Sequence, residues 1–450
     1  MKKRLCILLA AVLIVSLLAG CAGPAPTEQT PAEATAQTPA EEAPAAATAG
    51  KTEISLITWR SEDADVFKTM IADFESRNTD IKVNLEITSS DITEYYTVLK
   101  SRLISGEGAD VLMVHPGPYQ KELAEAGYLL DLTGSPLCDT LEPGILTSGQ
   151  VNGKQYSLTE TYNSFAIYYN EAIFEELGIE APTDYAGLVA ACKKAAEGGY
   201  MPVAAGFGEA WVTEILYEAL LCSYANGDDN VLHALETGEA KLTDEVYQNA
   251  FGDVARMIAD GVFQDSVTGT TYESSISLFA SGRAAMLIDG TWSIGNLLGM
   301  NADLKFGLVR IPSTSGSSVG LLSPSQGICI NANGKNIDAA ERFVAYLFTV
   351  EAEEMYCNGT KQASTVVGTT LDVPEMDLVS ELMQGETRVW PDVYVENAQL
   401  LSILDDLCCR IAGGSTDVAA ELAQSQSEID ALIGDLDIDT MLEKRYEKFR

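Results

Sequence analysis

The chain has 450 residues, 46% hydrophobic and 21% charged, which suits a folded, water-soluble protein too long for one hydrophobic core. Its 66 acidic side chains outnumber 28 basic ones, for a net charge of −38. Such a surface repels nucleic acid and anionic lipid headgroups, so both are excluded as ligands, and two domains are the default organisation.

The first element is a targeting segment. Lys2, Lys3 and Arg4 precede an apolar run over residues 5–18, broken only by Ser16. That run is 14 residues long, short of the roughly 20 that span a bilayer. It ends in Leu18-Ala19-Gly20-Cys21, which resembles the lipobox of bacterial lipoproteins. The resemblance implies removal of residues 1–20 as a signal peptide and diacylglycerol on the sulfur of Cys21. Each buried CH₂ of such chains contributes ~0.8 kcal/mol, and two chains anchor stably. Residues 21–50 carry Pro24, Pro26, Pro31, Pro39 and Pro44, with no aromatic before Trp59, and read as a disordered tether. The folded part is therefore expected to work outside the cell, on the outer face of the membrane or in a periplasm. Of nine cysteines, seven remain after Cys6 and Cys21, scattered and odd in number, which predicts mostly free thiols.

Period-two alternation predicts a strand over 53–59, and helical spacing of Val66, Met70, Ile71 and Phe74 a helix over 61–78. A strand over 81–87, a helix over 91–104 capped by Asp91 and Glu94, a strand over 110–114 and a helix over 119–126 follow. This alternation means a doubly wound sheet, with ligands beyond the carboxyl ends of its strands. After the turn at Asn152-Gly153 comes an aromatic strand interrupted by Thr159-Glu160-Thr161-Tyr162-Asn163, then a short helix closed by Gly178. Helices are predicted over 183–197, 211–224, 244–260 and 272–282, a strand over 284–289, a helix from Trp292, and strands over 305–311 and 327–331. A helix over 338–347 is followed by an almost wholly helical remainder.

Few residues are arranged for catalysis. Gly316-Ser317-Ser318-Val319-Gly320 fits a nucleophile-elbow pattern but lies in a Ser/Gly loop between strands, with no motif placing His115 or His233 as its base. Glu62 and Glu160 could pair as in a glycosidase, but among so many acids chance pairs abound. Asp435, Asp437 and Asp439 lack the glycine and terminal glutamate of a calcium loop. No enzyme activity, metal or cofactor is expected; a lipid-anchored glycosidase or esterase, or a sensor for a membrane receptor, are the competing readings. The four tryptophans are more informative: Trp59, Trp292 and Trp390 sit at element ends beside turns, and only Trp211 lies within a helical pattern. Indole faces stack on sugar rings while Asp, Glu, Asn and Arg bind hydroxyls.

Five stretches together resemble the extracellular solute-binding proteins of bacterial ABC importers, in the sugar-binding family that includes maltose-binding protein. They are residues 54–86; Gly108-Ala109-Asp110-Val111 through Gly127-Tyr128-Leu129-Leu130-Asp131-Leu132; Tyr169-Asn170 with Leu177-Gly178-Ile179 and Ala181-Pro182-Thr183; residues 279–286 with Gly290-Thr291-Trp292; and residues 327–346. The resemblance implies an α/β, two-lobed periplasmic-binding-protein-like fold. Each lobe would be a mostly parallel sheet flanked by helices, with the ligand cleft between them. Lobe 1 would comprise 52–160 plus 317–348, and lobe 2 would comprise 163–313 plus 351–450. It also implies capture of a mono- or oligosaccharide by a hinge motion, delivery to ABC permease subunits, and a monomer. Adding the tryptophans, the expected ligand-binding residues are Trp59, Glu62, His115, Pro116, Gly117, Glu160, Tyr162, Asn163, Trp211, Trp292, Ser323, Ser325 and Trp390.

Overall fold

A computed structural model describes residues 50–434, except residues 90, 142–144 and 229. Cys21, the signal peptide, the tether and Asp435, Asp437 and Asp439 lie outside the described residues.

The first sheet starts with β1 (Thr52–Thr58), α1 (Ala64–Arg77), β2 (Ile81–Ile87), α2 (Ile92–Ser105), β3 (Val111–Val114) and α3 (Pro118–Glu125). Helix α1 buries Phe67, Met70, Ile71 and Phe74, one stripe of a 3.6-residue period. Asp91 caps α2 by accepting a 2.9 Å bond from the Glu94 amide. After a hairpin of β4 (Gln150–Val151) and β5 (Lys154–Gln155), β6 (Leu158–Thr159) joins this sheet. The chain then passes through β7 (Thr161–Asn163) into β8 (Phe165–Asn170), and the Asn170 side chain caps α4 (Glu171–Leu177).

The second sheet and its helices follow as α5 (Tyr185–Glu197), β9 (Met201–Ala204), α6 (Glu214–Tyr224), α7 (Val231–Glu236), α8 (Glu245–Ala259), α9 (Tyr272–Ala280), β10 (Ala284–Gly290), α10 (Ile294–Met300) and β11 (Phe306–Val309). The chain returns through β12 (Gly320–Pro324) to β13 (Gly327–Ile330), α11 (Ile337–Leu347) and α12 (Val350–Thr360). It leaves again through β14 (Ala363–Ser364), α13 (Met376–Leu382) and β15 (Thr387–Val389), and ends with α14 (Ala398–Ala412) and α15 (Val418–Gly434).

Two cores result. One packs β1–β3, β13, α1, α2, α11 and α12; the other packs β8–β11 with α5, α6, α8, α9, α14 and α15. The strand orders are β2-β1-β3-β13-β6 and β11-β8-β10-β9. Between them lies a third sheet, β14-β7-β12-β15, built from the segments that pass from one core to the other.

Each sheet is mostly parallel, as expected, with one reversed strand: β13 runs antiparallel to β3 and β6 in the first, and β8 runs antiparallel to β10 and β11 in the second. In both, the reversed strand is the one by which the chain arrives from the other lobe. Two expectations need correction. The remainder after residue 350 is not almost wholly helical, since it supplies two strands of the connecting sheet. And α12, placed above with the second lobe, buries Ala352, Tyr356 and Cys357 in the first core. The seven cysteines among the described residues form no disulfide with one another, and His233 is buried in α7.

Candidate functional site

The carboxyl end of β1 delivers Trp59, Arg60, Glu62 and Asp63. The Trp59 ring stacks on His115 at 4.7 Å and 23°, and meets Tyr95 edge-on at 5.0 Å. Arg60 donates to Asp63 through Nε, and through Nη2 at 3.2 Å, while its Nη1 lies 3.4 Å from Glu62 Oε1. Tyr356 Oη donates to Asp63 Oδ2 at 2.6 Å, and Gln326 Nε2 donates both to Tyr356 Oη at 3.0 Å and to Glu160 Oε2 at 3.3 Å. This network holds the Arg60 head toward Glu62. Burial pushes the Glu62 carboxyl up to about 6, against the pull of Arg60, with Asp63 and the second lobe's Glu273 adding to the rise.

The end of β3 delivers His115, Pro116 and Gly117. Burial, helped by Arg60, pushes the His115 imidazole down to about 4, so it is neutral near pH 7. Its Nδ1 is buried without a partner. Gly117 has φ +94°, and a Cβ there would come 2.9 Å from the Asp392 carbonyl oxygen. First-lobe backbone therefore touches the second lobe directly at this point.

The facing wall belongs to the second lobe. Trp390, which follows β15, meets His115 edge-on at 6.2 Å and Phe165 at 5.2 Å. Phe165 meets Trp292 edge-on at 5.8 Å. Trp292 can fold back over the end of β10 because residue 290 is glycine: a Cβ there would fall 2.1 Å from the indole. Trp292 Nε1 donates to Tyr272 Oη at 2.8 Å, and Ser293 Oγ lies 2.9 Å from that hydroxyl and donates to Asp289 Oδ2 at 2.7 Å. Burial pushes the Asp289 carboxyl up to about 7. Trp211 packs on Tyr272 at 5.0 Å, and Glu209 accepts from Trp211 Nε1 at 3.3 Å and from the Tyr272 amide at 3.0 Å.

All four tryptophans thus lie on one path of rings, Trp59–His115–Trp390–Phe165–Trp292–Tyr272–Trp211, which crosses the seam between His115 and Trp390. The remaining expected residues lie in and beside the connecting sheet, with Glu160 tied through Gln326 to the Arg60–Asp63 network. Thr161 Oγ1 donates to Ser325 Oγ at 2.8 Å, Asn163 Nδ2 donates to Gln362 Oε1 at 3.2 Å, and Ser323 Oγ donates to the Pro324 carbonyl at 3.4 Å. Glu160 is buried, its Oε1 unpartnered, and burial beside Glu353 holds its carboxyl well above the usual range. Tyr162 lines a cavity of about 420 Å³ with Leu322, Met376, Val379 and Met383. Asn163 and Thr161 share Gln362, so strand alternation survives at the crossing and Asn163 lies on the opposite face from Tyr162. Sequence reasoning did not single out Phe165, Tyr272, Arg60, Asp63 or Asp289. The run Trp59-Arg60-Ser61-Glu62-Asp63 at a strand end carried a signal for two of them; the others depend on distant packing.

Two α/β lobes joined by a sheet of crossing strands, with polar and aromatic side chains gathered at the seam, define a two-lobed solute-binding fold. Solved structures agree. A solute-binding protein in complex with raffinose superposes with a TM-score of 0.74 at 22% identity, covering 85% of this chain and 100% of that one. A chitin oligosaccharide binding protein superposes with a TM-score of 0.75 at 19% identity, covering 85% and 99%. The family profile of bacterial extracellular solute-binding proteins matches residues 60–354, and the chain belongs to that family. The multiple sugar-binding protein of Streptococcus mutans is 26% identical over 311 residues, 68% of this chain and 73% of that protein.

Proposed function

We propose that this protein captures a mono- or oligosaccharide between its lobes and hands it to the permease of an ABC importer, without a chemical step. The observation that carries the reading is the path of rings across the seam, flanked by Glu62, Arg60, Glu209 and Asp289 as hydroxyl partners. Aromatic faces and fixed polar groups on both lobes make a saccharide bind the closed form best, which is how a ligand drives hinge closure. The names of the relatives, a multiple sugar-binding protein and binders of raffinose and chitin oligosaccharide, point the same way. In this reading Trp59, Glu62, His115, Trp211, Trp292 and Trp390 contact ligand. Pro116 and Gly117 shape the seam, and Glu160, Tyr162, Asn163, Ser323 and Ser325 act at the hinge. The lobes divide near Glu160, Ser313 and Thr360. The protein acts as a monomer, tethered outside the cell through lipid on Cys21.

A thermal-shift screen of mono- and oligosaccharides tests this, because a ligand that binds only the folded state raises its melting temperature. With a hit in hand, Trp292→Ala is expected to weaken binding by ~1–3 kcal/mol with the fold intact. No shift with any saccharide would overturn the proposal, and unchanged affinity in calorimetry would remove Trp292 from the site.

A further inference from the structure

The second lobe brings four carboxyls to the seam. Glu214 and Glu218 are four residues apart on α6, so they share one helix face. Asp405 comes from α14, and Asp392 from the turn Pro391–Tyr394 that touches Gly117. Burial holds all four above the usual carboxylate range, Glu214 adds to the rise at Glu218, Asp392 and Asp405, and Glu214, Asp405 and Asp392 also act on the Tyr119 hydroxyl, so the group lies close to α3. Glu214 and Asp405 face each other, and Tyr217 Oη donates to Asp405 Oδ1 at 3.1 Å. Glu218 is 0% exposed, yet neither of its carboxyl oxygens has a partner. Asp392 Oδ1 is likewise buried and unpartnered. The Trp390 indole N–H points toward Glu218 without reaching hydrogen-bond geometry.

No ion pair among the described residues involves these four acids, and Lys121 on α3 is engaged by Glu396. Buried acceptors without donors or countercharge cost several kcal/mol, so the site calls for donors that bring positive charge. A bare metal ion does not fit: among the described residues no three or more His, Cys, Asp or Glu side chains converge to hold one. A polyatomic cation with several N–H groups does, since it can reach separated carboxyls at once. The Trp390 ring lies near Glu218 and meets His115 edge-on, and an indole is the kind of surface on which a sugar ring stacks. The net charge of −38 attracts such a ligand from a distance.

Resting on the saccharide-binding reading above, we infer that the ligand is a saccharide carrying a protonated primary amine, with the ammonium seated against Glu218 and Asp392 beside Trp390. An ammonium favours the charged form of both carboxyls, so any proton they hold in the free protein is released on binding.

The test is calorimetry at pH 7 with the glucosamine trimer, its fully N-acetylated counterpart, raffinose and spermidine. The glucosamine trimer is expected to bind at least tenfold more tightly than the acetylated one, with proton release seen as a dependence of the heat on buffer ionisation. Glu218→Gln, and separately Asp392→Asn, are expected to bring that ratio near one while leaving acetylated-trimer affinity within about twofold; melting curves check that each variant folds. Equal or tighter binding of the neutral sugars by the native protein, or a ratio unmoved in both variants, overturns the inference and leaves saccharide capture standing. Spermidine binding as tightly as the glucosamine trimer also overturns it, because the ring would then be dispensable. Failure of all saccharides takes down the broader reading as well.

Discussion

Thr291 shows how one side chain joins the crossing strand β7 to the turn that carries Trp292. It is buried beside Trp292; its Oγ1 accepts from the Ser164 amide at 3.0 Å and donates to Asn163 Oδ1 at 3.4 Å. The crossing strand is thereby fixed to the turn that presents the indole. Thr291→Val keeps the shape and orphans a buried N–H, which costs about 1–3 kcal/mol. We expect a lower urea midpoint by circular dichroism, and an unchanged midpoint would show the bond to be dispensable. His115 is the second such residue. Stripped of water, it is neutral at physiological pH and adds no positive charge to a seam crowded with carboxyls.

At the scale of elements, the α3 N-terminus seats against the turn Pro391–Tyr394 through Gly117. Gly117→Ala would force a strained φ, costing roughly 1 kcal/mol, and would push a methyl into the Asp392 carbonyl. Ligand affinity is expected to fall roughly tenfold, ~1.4 kcal/mol, with a larger radius of gyration in ligand-bound scattering. Unchanged affinity and radius would mean that this contact plays no part in closure. Elements of this size differ in how far sequence reveals them. Strand β1 and helix α1 announce themselves because burial on one side imposes a period, and the caps at Asp91 and Asn170 are local chemistry. Strands β14 and β15 have two and three residues, too few to show any period. Trp390 reaches the seam only because Val389 pairs with Leu322, a partner 67 positions away in the chain. The rings of Trp59 and Trp292 could be suspected from their places beside turns. Their neighbours Tyr272 and Phe165, and the acids from α6, α14 and the 391–394 turn, meet only through tertiary packing.

For the whole molecule, the direction of the buried carboxyls sets the dependence of stability on pH. Burial raises Glu62 to about 6, Asp289 and Glu353 to about 7, and Glu214 to about 8. The folded state therefore holds protons that the unfolded chain, with carboxyls titrating near 4, gives up. Stability from these groups is complete below that value and is lost as pH rises through about 6 to 8. In the other direction Asp131, lowered to about 2 by bonds from Thr133 and Lys154, withdraws support as the medium becomes strongly acidic. The melting temperature is expected to peak near pH 4 and to fall steadily toward pH 8, where mutual repulsion of the excess acids acts in the same sense. A flat profile between pH 5 and 8 would mean that these carboxyls are solvated in the folded protein.

The path of rings has an optical corollary. Every indole of the chain stands on it, with none elsewhere to dilute the signal, and Trp59 and Trp390 flank the same imidazole from opposite lobes. Indole emission from the unlabelled protein therefore comes wholly from this path, and if ligand binds at the seam, as proposed, it is expected to change that emission.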